Sequence, residues 1–307
     1  MTMVEERPTV ATPAVPAAPA VVEPPERVSV RIVGSALTIL AVAALSFAAQ
    51  LTYVGAMGHD RAQIMAYATF RSDLAQATAP VSARGNDGKP LALGTPVAIL
   101  TIPRIGLHQV VEEGTTGGVL ADAPGHRRDT VLPGQAGVSV LMGRRAAYGG
   151  PFARIDELTA GDEITVVTGQ GEHHYRVLGI RRAGEAQPPV LAGRAGRLTL
   201  ATADGAAYVP TDVLRVDADL VSPVQATPGP ELTSATLPDP ERPMGVDVLA
   251  LVPLVLLGQV LIAATVATVW IRQRFGRWHS WLIGLPVLAL FGILVADQAA
   301  RLLPNLL

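Results

Sequence analysis

Three long apolar runs decide most of what this chain can fold into. Residues 32–54, 248–271 and 281–296 contain no charged side chain. At about 1.5 Å of rise per residue, helices over the first two cross a hydrocarbon core of roughly 30 Å. The third does so when continued to Ala300, which leaves Asp297 at the interface, i to i+4 from Arg301. A soluble core helix as long as the second run would show a polar face, and this one has none. The first run exceeds the apolar core of a secretory signal, and Ala48-Ala49-Gln50 is a weak cleavage site, so an uncleaved signal anchor is expected.

Positive charge gives an orientation. Arg7, Arg27 and Arg31 precede the first run, and Arg272, Arg274 and Arg277 lie between the second and third. With both clusters in the cytoplasm, the chain is a three-span plasma-membrane protein. Its N-terminus is then inside, and the region between the first two spans and the chain's end are outside. Three spans without a buried charge offer no ion pathway, which argues against transport.

A net charge of −2 leaves no basic footprint for nucleic acid. The absence of cysteine excludes disulfides and thiolate-bound zinc. His173 and His174 are neighbours on a strand pattern, so their rings point to opposite faces and share no metal. No metal and no cofactor are expected.

Between the spans the pattern changes several times. Residues 1–30, with Pro8, Pro13, Pro16, Pro19, Pro24 and Pro25, cannot build a core and are expected to be a disordered cytoplasmic tail. The signal anchor covers 32–57. Residues 58–94 are expected to form a helical stalk and a loop, because 60–77 contains no Gly or Pro whereas 81–93 contains Gly85, Asn86, Gly88 and Pro90. From 95 to 221 short apolar alternations are broken by Gly, Pro and Asp. This predicts strands over 97–102, 109–112, 138–143, 163–168, 174–180, 198–202 and 213–220. Seven or eight strands over that length suit one closed β-barrel. The proline-rich 222–245 is an extended tether. It leads to a span over 246–271, a basic turn over 272–280 and a span over 281–300. The fold class is thus mainly β, with three transmembrane helices and a helical stalk.

Several tracts of the barrel, in order, resemble the sortase family, especially its actinobacterial, class E kind. They are Pro96-Val97-Ala98-Ile99-Leu100-Thr101-Ile102-Pro103-Arg104-Ile105-Gly106-Leu107, then Ala123-Pro124-Gly125-His126, then Leu132-Pro133-Gly134-Gln135-Ala136-Gly137. Val140-Leu141-Met142-Gly143-Arg144-Arg145 follows and runs on to Tyr148-Gly149-Gly150-Pro151-Phe152. The stretch from Ile155 to Ile164 and the strand Leu198-Thr199-Leu200-Ala201-Thr202-Ala203 complete the set. The two C-terminal spans are not covered. The resemblance implies a sortase barrel, which in that family cleaves sorting peptides with a cysteine, a histidine and an arginine.

Each of the three positions departs from the family here. The cysteine position is Ala203, whose methyl group cannot attack a carbonyl. The histidine of the family's Gly-His-Arg triplet is Arg144, and a guanidinium stays protonated to above about pH 12, so it is no general base. Alignment on Ala218 places Val213 where the arginine opens the last strand, unless a gap over 204–211 moves it. Arg215, two residues on, shares that strand face. Replacement nucleophiles would be Ser139, Thr202 or Tyr208, with Thr202 turned to the face opposite Ala203. His126 matches a family position distinct from the catalytic histidine.

Two functional classes follow. The first is a non-catalytic peptide-binding or scaffold protein of the cell envelope, a pseudoenzyme. Its ligand-binding candidates are Arg144, Arg145, Arg215 and His126, and its partner is another envelope protein or a sorting-signal-like peptide. The arginines would make a positive patch for a carboxylate, or would instead be solvated or paired with Asp204 or Asp212. The second class is a cysteine-independent transpeptidase or hydrolase.

Overall fold

The computed structural model describes residues 43–85, 88–230, 232–275 and 280–307. The expected tail over 1–30, residues 32–42 of the signal anchor and residues 276–279 of the basic turn lie outside them.

Eight strands close a barrel in the order β1-β2-β3-β4-β7-β8-β6-β5. They are β1 (Pro96–Ile102), β2 (Leu107–Glu113), β3 (Gly125–His126), β4 (Gly137–Met142), β5 (Glu163–Thr168), β6 (Gly171–Arg181), β7 (Gly196–Ala206) and β8 (Val209–Leu220). Neighbours are antiparallel except β2 with β3 and β4 with β7. Alternation makes the strands. Along β6, His173, Tyr175 and Val177 are buried while His174, Arg176 and Leu178 are exposed, the period of two that a barrel wall requires. Leu100, Ile102, Val111, Leu141, Ile164, Val166, Leu198, Leu200, Leu214 and Val216 fill the interior.

One tight approach packs the loop before β4 against β6. Gly134 has φ +92°, and a Cβ there would run into the His173 ring. Only glycine meets both conditions. His173 Nε2 lies 3.0 Å from the Thr168 hydroxyl, and Tyr175 accepts the Gly134 N–H at 2.6 Å.

The expected stalk is a helix of a different kind. A π-helical turn, Gln50–Val54, leads into α1 (Gly55–Ala75). This helix lies along the barrel wall and is not a free-standing stalk. Ala66 and Phe70 bury themselves against Ile99 and Val110, on the outer sides of β1 and β2. Gln63 clamps the contact by accepting the Val110 N–H at 2.7 Å and donating to the Val110 carbonyl at 3.2 Å. The proline-rich tether is also held to the barrel. Gln225 donates its N–H to Gly134 O at 2.9 Å, and Arg128 pairs bidentately with Glu241.

Two helices among the described residues are long and apolar enough to cross a membrane, instead of the three expected. They cover Val248–Thr268 and Leu282–Ala300, with mean hydropathies of 2.4 and 2.0. The first includes most of the helix α3 (Leu251–Phe275), and the second contains the helix α4 (Leu285–Ala300). Only 6% and 11% of their residues are buried, so their apolar surface faces outward, as a lipid surround requires. Asp297 and Arg301 form an ion pair at 3.1 Å. A four-residue helix, α2 (Val119–Asp122), lies between β2 and β3.

Glu112 on β2 carries a pH dependence. Burial, with the Asp122 charge adding to it, pushes its carboxyl from about 4.5 up to about 7. The folded chain therefore binds a proton that the unfolded chain has released, and stability falls as pH rises through this window. Glu112→Gln is expected to leave stability at pH 5 nearly unchanged and to raise it at pH 8 by on the order of 2–3 kcal/mol. Denaturant unfolding at the two pH values reads the difference, and an unchanged pH slope would exclude Glu112 as its source.

Candidate functional site

Most barrel strands expose one side, but β7 is buried on both from Gly196 to Ala203. Leu198, Leu200 and Thr202 alternate with Arg197, Thr199, Ala201 and Ala203, so a second layer covers the outer side of the strand. The β7–β8 ladder continues to Ala206 opposite Val209, with a bulge between Asp204 and Gly205. Residues 204–211 thus form a hairpin end and not a loose loop. Val213 stands directly across from Ala203, and Arg215 across from Ala201.

The alternative nucleophiles fall elsewhere. Thr202 turns inward and donates to Gly143 O at 2.8 Å. Ser139 is 1% exposed and its hydroxyl has no partner. Tyr208 is outside, 3.4 Å from Ala146 O. Among the described residues no histidine ring is hydrogen-bonded to any of the three.

Arg144 follows β4. Gly143 continues the ladder by donating to Ala201 O at 3.0 Å, and a Cβ on it would sit 2.6 Å from the Phe152 ring. The chain then turns, and the Arg144 side chain enters the protein, 1% exposed. Its Nε donates to Leu120 O at 3.1 Å and one Nη to Gly117 O at 2.8 Å, while its Cζ lies over the Tyr148 ring, 4.6 Å from the centroid. The other Nη is unpaired. Burial lowers its pKa to about 10 even with Tyr148 and Asp297 nearby, so it is still a cation at neutral pH.

The expected positive patch is not an exposed one. Arg145 pairs with Asp156 at 3.0 Å, not with Asp204 or Asp212, and reaches Ala203 O at 3.4 Å. Arg215 is half-buried and donates to Val213 O at 3.3 Å; burial first, and Arg181 next, lower its pKa. His126 is buried on β3, with Nδ1 2.8 Å from Glu113 and Nε2 2.9 Å from Val131 O. Burial pulls its pKa down, but the Glu113 charge and these hydrogen bonds outweigh it and leave it raised. The structure thus gathers Ala203, Val213, Arg144 and Arg145, sets Arg215 beside them, and engages His126 elsewhere.

The outer face of β7 has two ends. Near Ala201 and Ala203 it is apolar and covered by Leu120 and by Leu306, which follows α4. Toward Thr199 a cavity of about 350 Å³ opens, lined by Val138, Pro188, Leu191, Arg197 and Asp217 among others. Its arginines are neutralised: Arg181 pairs with Asp217 at 2.9 Å and Arg197 with Asp219 at 2.6 Å. Tyr148 and residues 305–307 were not expected from the sequence.

Arg144 is expected to act as a clamp. Arg144→Met leaves the Gly117 and Leu120 carbonyls without their donor and should cost about 2–4 kcal/mol. Arg144→Lys should recover little, since an ammonium lacks the planar fork. Equilibrium unfolding measures both, and a Met variant as stable as the wild type would remove this role.

Residues 100–221 match the sortase domain family. Sortase D of Bacillus subtilis (strain 168) is 33% identical over 85 residues, which are 28% of this chain and 41% of that protein. The chain therefore spans less than half the length of that relative. Among solved structures, a Clostridium perfringens sortase D5 transpeptidase is 24% identical over 53% of this chain and 99% of its own, with a TM-score of 0.44. Sortase E1 from Streptomyces coelicolor is 25% identical over 41% and 88%, with a TM-score of 0.36. The barrel thus carries the match to the sortase domain, which covers residues 100–221 of this chain.

Proposed function

We propose that this protein is a membrane-anchored sortase-family member that binds a peptide or an envelope partner without cleaving it. The observation that carries the reading is the pairing of Ala203 with Val213 beside a buried Arg144. Together these positions offer no nucleophile, no group able to take up a proton near neutral pH, and no guanidinium opening β8 toward an oxyanion. Sortases act on sorting-signal peptides in the cell envelope, so the retained barrel suits recognition of an extended peptide along β7. The open cavity beside Thr199 is where such a chain would lie, its paired arginines giving a neutral polar floor.

The proposed topology follows the charge distribution: a signal anchor, an extracytoplasmic barrel, and a hairpin of two apolar helices returning through the membrane. That hairpin adds a lateral surface suited to a second membrane protein. The groups that would serve the catalytic alternative are poorly placed, since Ser139 is sealed inside and Thr202 is bonded to Gly143 O.

Purified full chain incubated with a sorting-signal peptide and an amine acceptor is expected to give neither cleaved nor transferred product by mass spectrometry. Turnover that disappears on Ser139→Ala, Thr202→Val or Tyr208→Phe would replace this reading with the catalytic one.

A further inference from the structure

The barrel closes all eight strands without help from residues beyond β8, yet one later segment enters its outer face. After α4 the chain turns at Arg301 and Pro304, and Leu306 sinks to 0% exposure among Leu120, Met142, Ala201, Ala203 and Val213. Backbone bonds fasten it: Arg145 N–H donates to Leu306 O at 3.0 Å and Ala147 N–H to Leu307 O at 3.3 Å. The Asn305 amide Nδ2 lies 2.8 Å from Thr115 O, 3.0 Å from Arg242 O and 3.2 Å from Pro240 O, and its N–H donates to Gly245 O at 2.9 Å. A tight turn with one leucine in an apolar pocket and its main chain bonded to the host occupies this face as a bound peptide would.

We propose that residues 303–307 are an internal ligand of this face, and that a free leucine-bearing peptide of the same chemistry binds only where they have been displaced. The inference rests on the non-catalytic reading above and adds what fills the Ala201–Ala203 end of β7, next to the open cavity at Thr199. It also gives Ala203 a positive role, because a methyl group at this position leaves room for Leu306. The segment is delivered by an apolar helix, so movement of that helix relative to the barrel would open or close the groove.

A tether holds its ligand at an effective concentration of roughly millimolar, which a free peptide must overcome. An end-capped, fluorescent Leu-Pro-Asn-Leu-Leu peptide can therefore be titrated against the full chain in detergent and against a variant ending at Leu302. Leu306→Asp, with the segment retained, completes the series. The shortened chain is expected to bind at least about 10-fold more tightly than the intact one, with Leu306→Asp in between. Equal affinity of intact and shortened chains would overturn the proposal, as would absence of binding to a shortened chain that keeps a cooperative unfolding transition. Should the shortened chain not fold, hydrogen exchange decides. The Arg145 and Ala147 amides should be protected in the intact chain, exposed by Leu306→Asp and protected again by added peptide, and unchanged exchange would overturn it. Cleavage of the peptide by any of these proteins would sink the non-catalytic reading while leaving the internal ligand in place.

Discussion

The rim of this barrel depends on a buried guanidinium. Arg144 has neutral carbonyls and a phenol ring around it and no carboxylate hydrogen-bonded to it, and burial takes its pKa down to about 10. It tolerates that environment by donating to the carbonyls of Gly117, just before α2, and of Leu120, within it. Leu120 is therefore held over the outer side of β7, where it and Leu306 share the apolar patch around Ala203. Arg144 is a structural cation that keeps its proton at neutral pH.

The same substitutions are consistent across levels. A cysteine thiolate needs an electropositive, solvent-reached position. Ala203 instead occupies a face that is closed, apolar and bonded along its edges by Arg145, whose guanidinium also pairs with Asp156. Val213, paired with Ala203, adds apolar surface. The loop after β2, the tether and the segment after α4 also meet, since Thr115 accepts from Asn305 and donates to Glu241 O at 2.6 Å.

Much of the fold was legible because it is local. Alternation in β5 and β6, glycine and proline punctuation, and the long apolar runs are properties of neighbouring residues, and they predicted a β-barrel between membrane segments. β3 escaped because two residues carry no periodicity, and it exists only through its neighbours β2 and β4. The helix over 55–75 was expected as a stalk, since nothing in its sequence announces that Phe70 has Ile99 and Val110 to pack against. The site was legible in composition but not in environment. Ala203, Arg144 and Val213 could be placed by resemblance, whereas burial of Arg144, pairing of Arg145 with Asp156 and occupation by Leu306 arise from contacts far apart in the chain. A cluster of arginines in sequence is not a surface patch until their partners are known.

The central claim is that the position around Ala203 is a packed, occupied face and not an open nucleophile site. Because the chain has no other cysteine, Ala203→Cys introduces a sole thiol whose alkylation rate by iodoacetamide across pH reports access and thiolate character together. The expected result is a thiol protected in the folded full chain, reacting quickly only in denaturant and without a depressed pKa. Rapid alkylation of the folded chain with a titration well below the ordinary thiol value would contradict it.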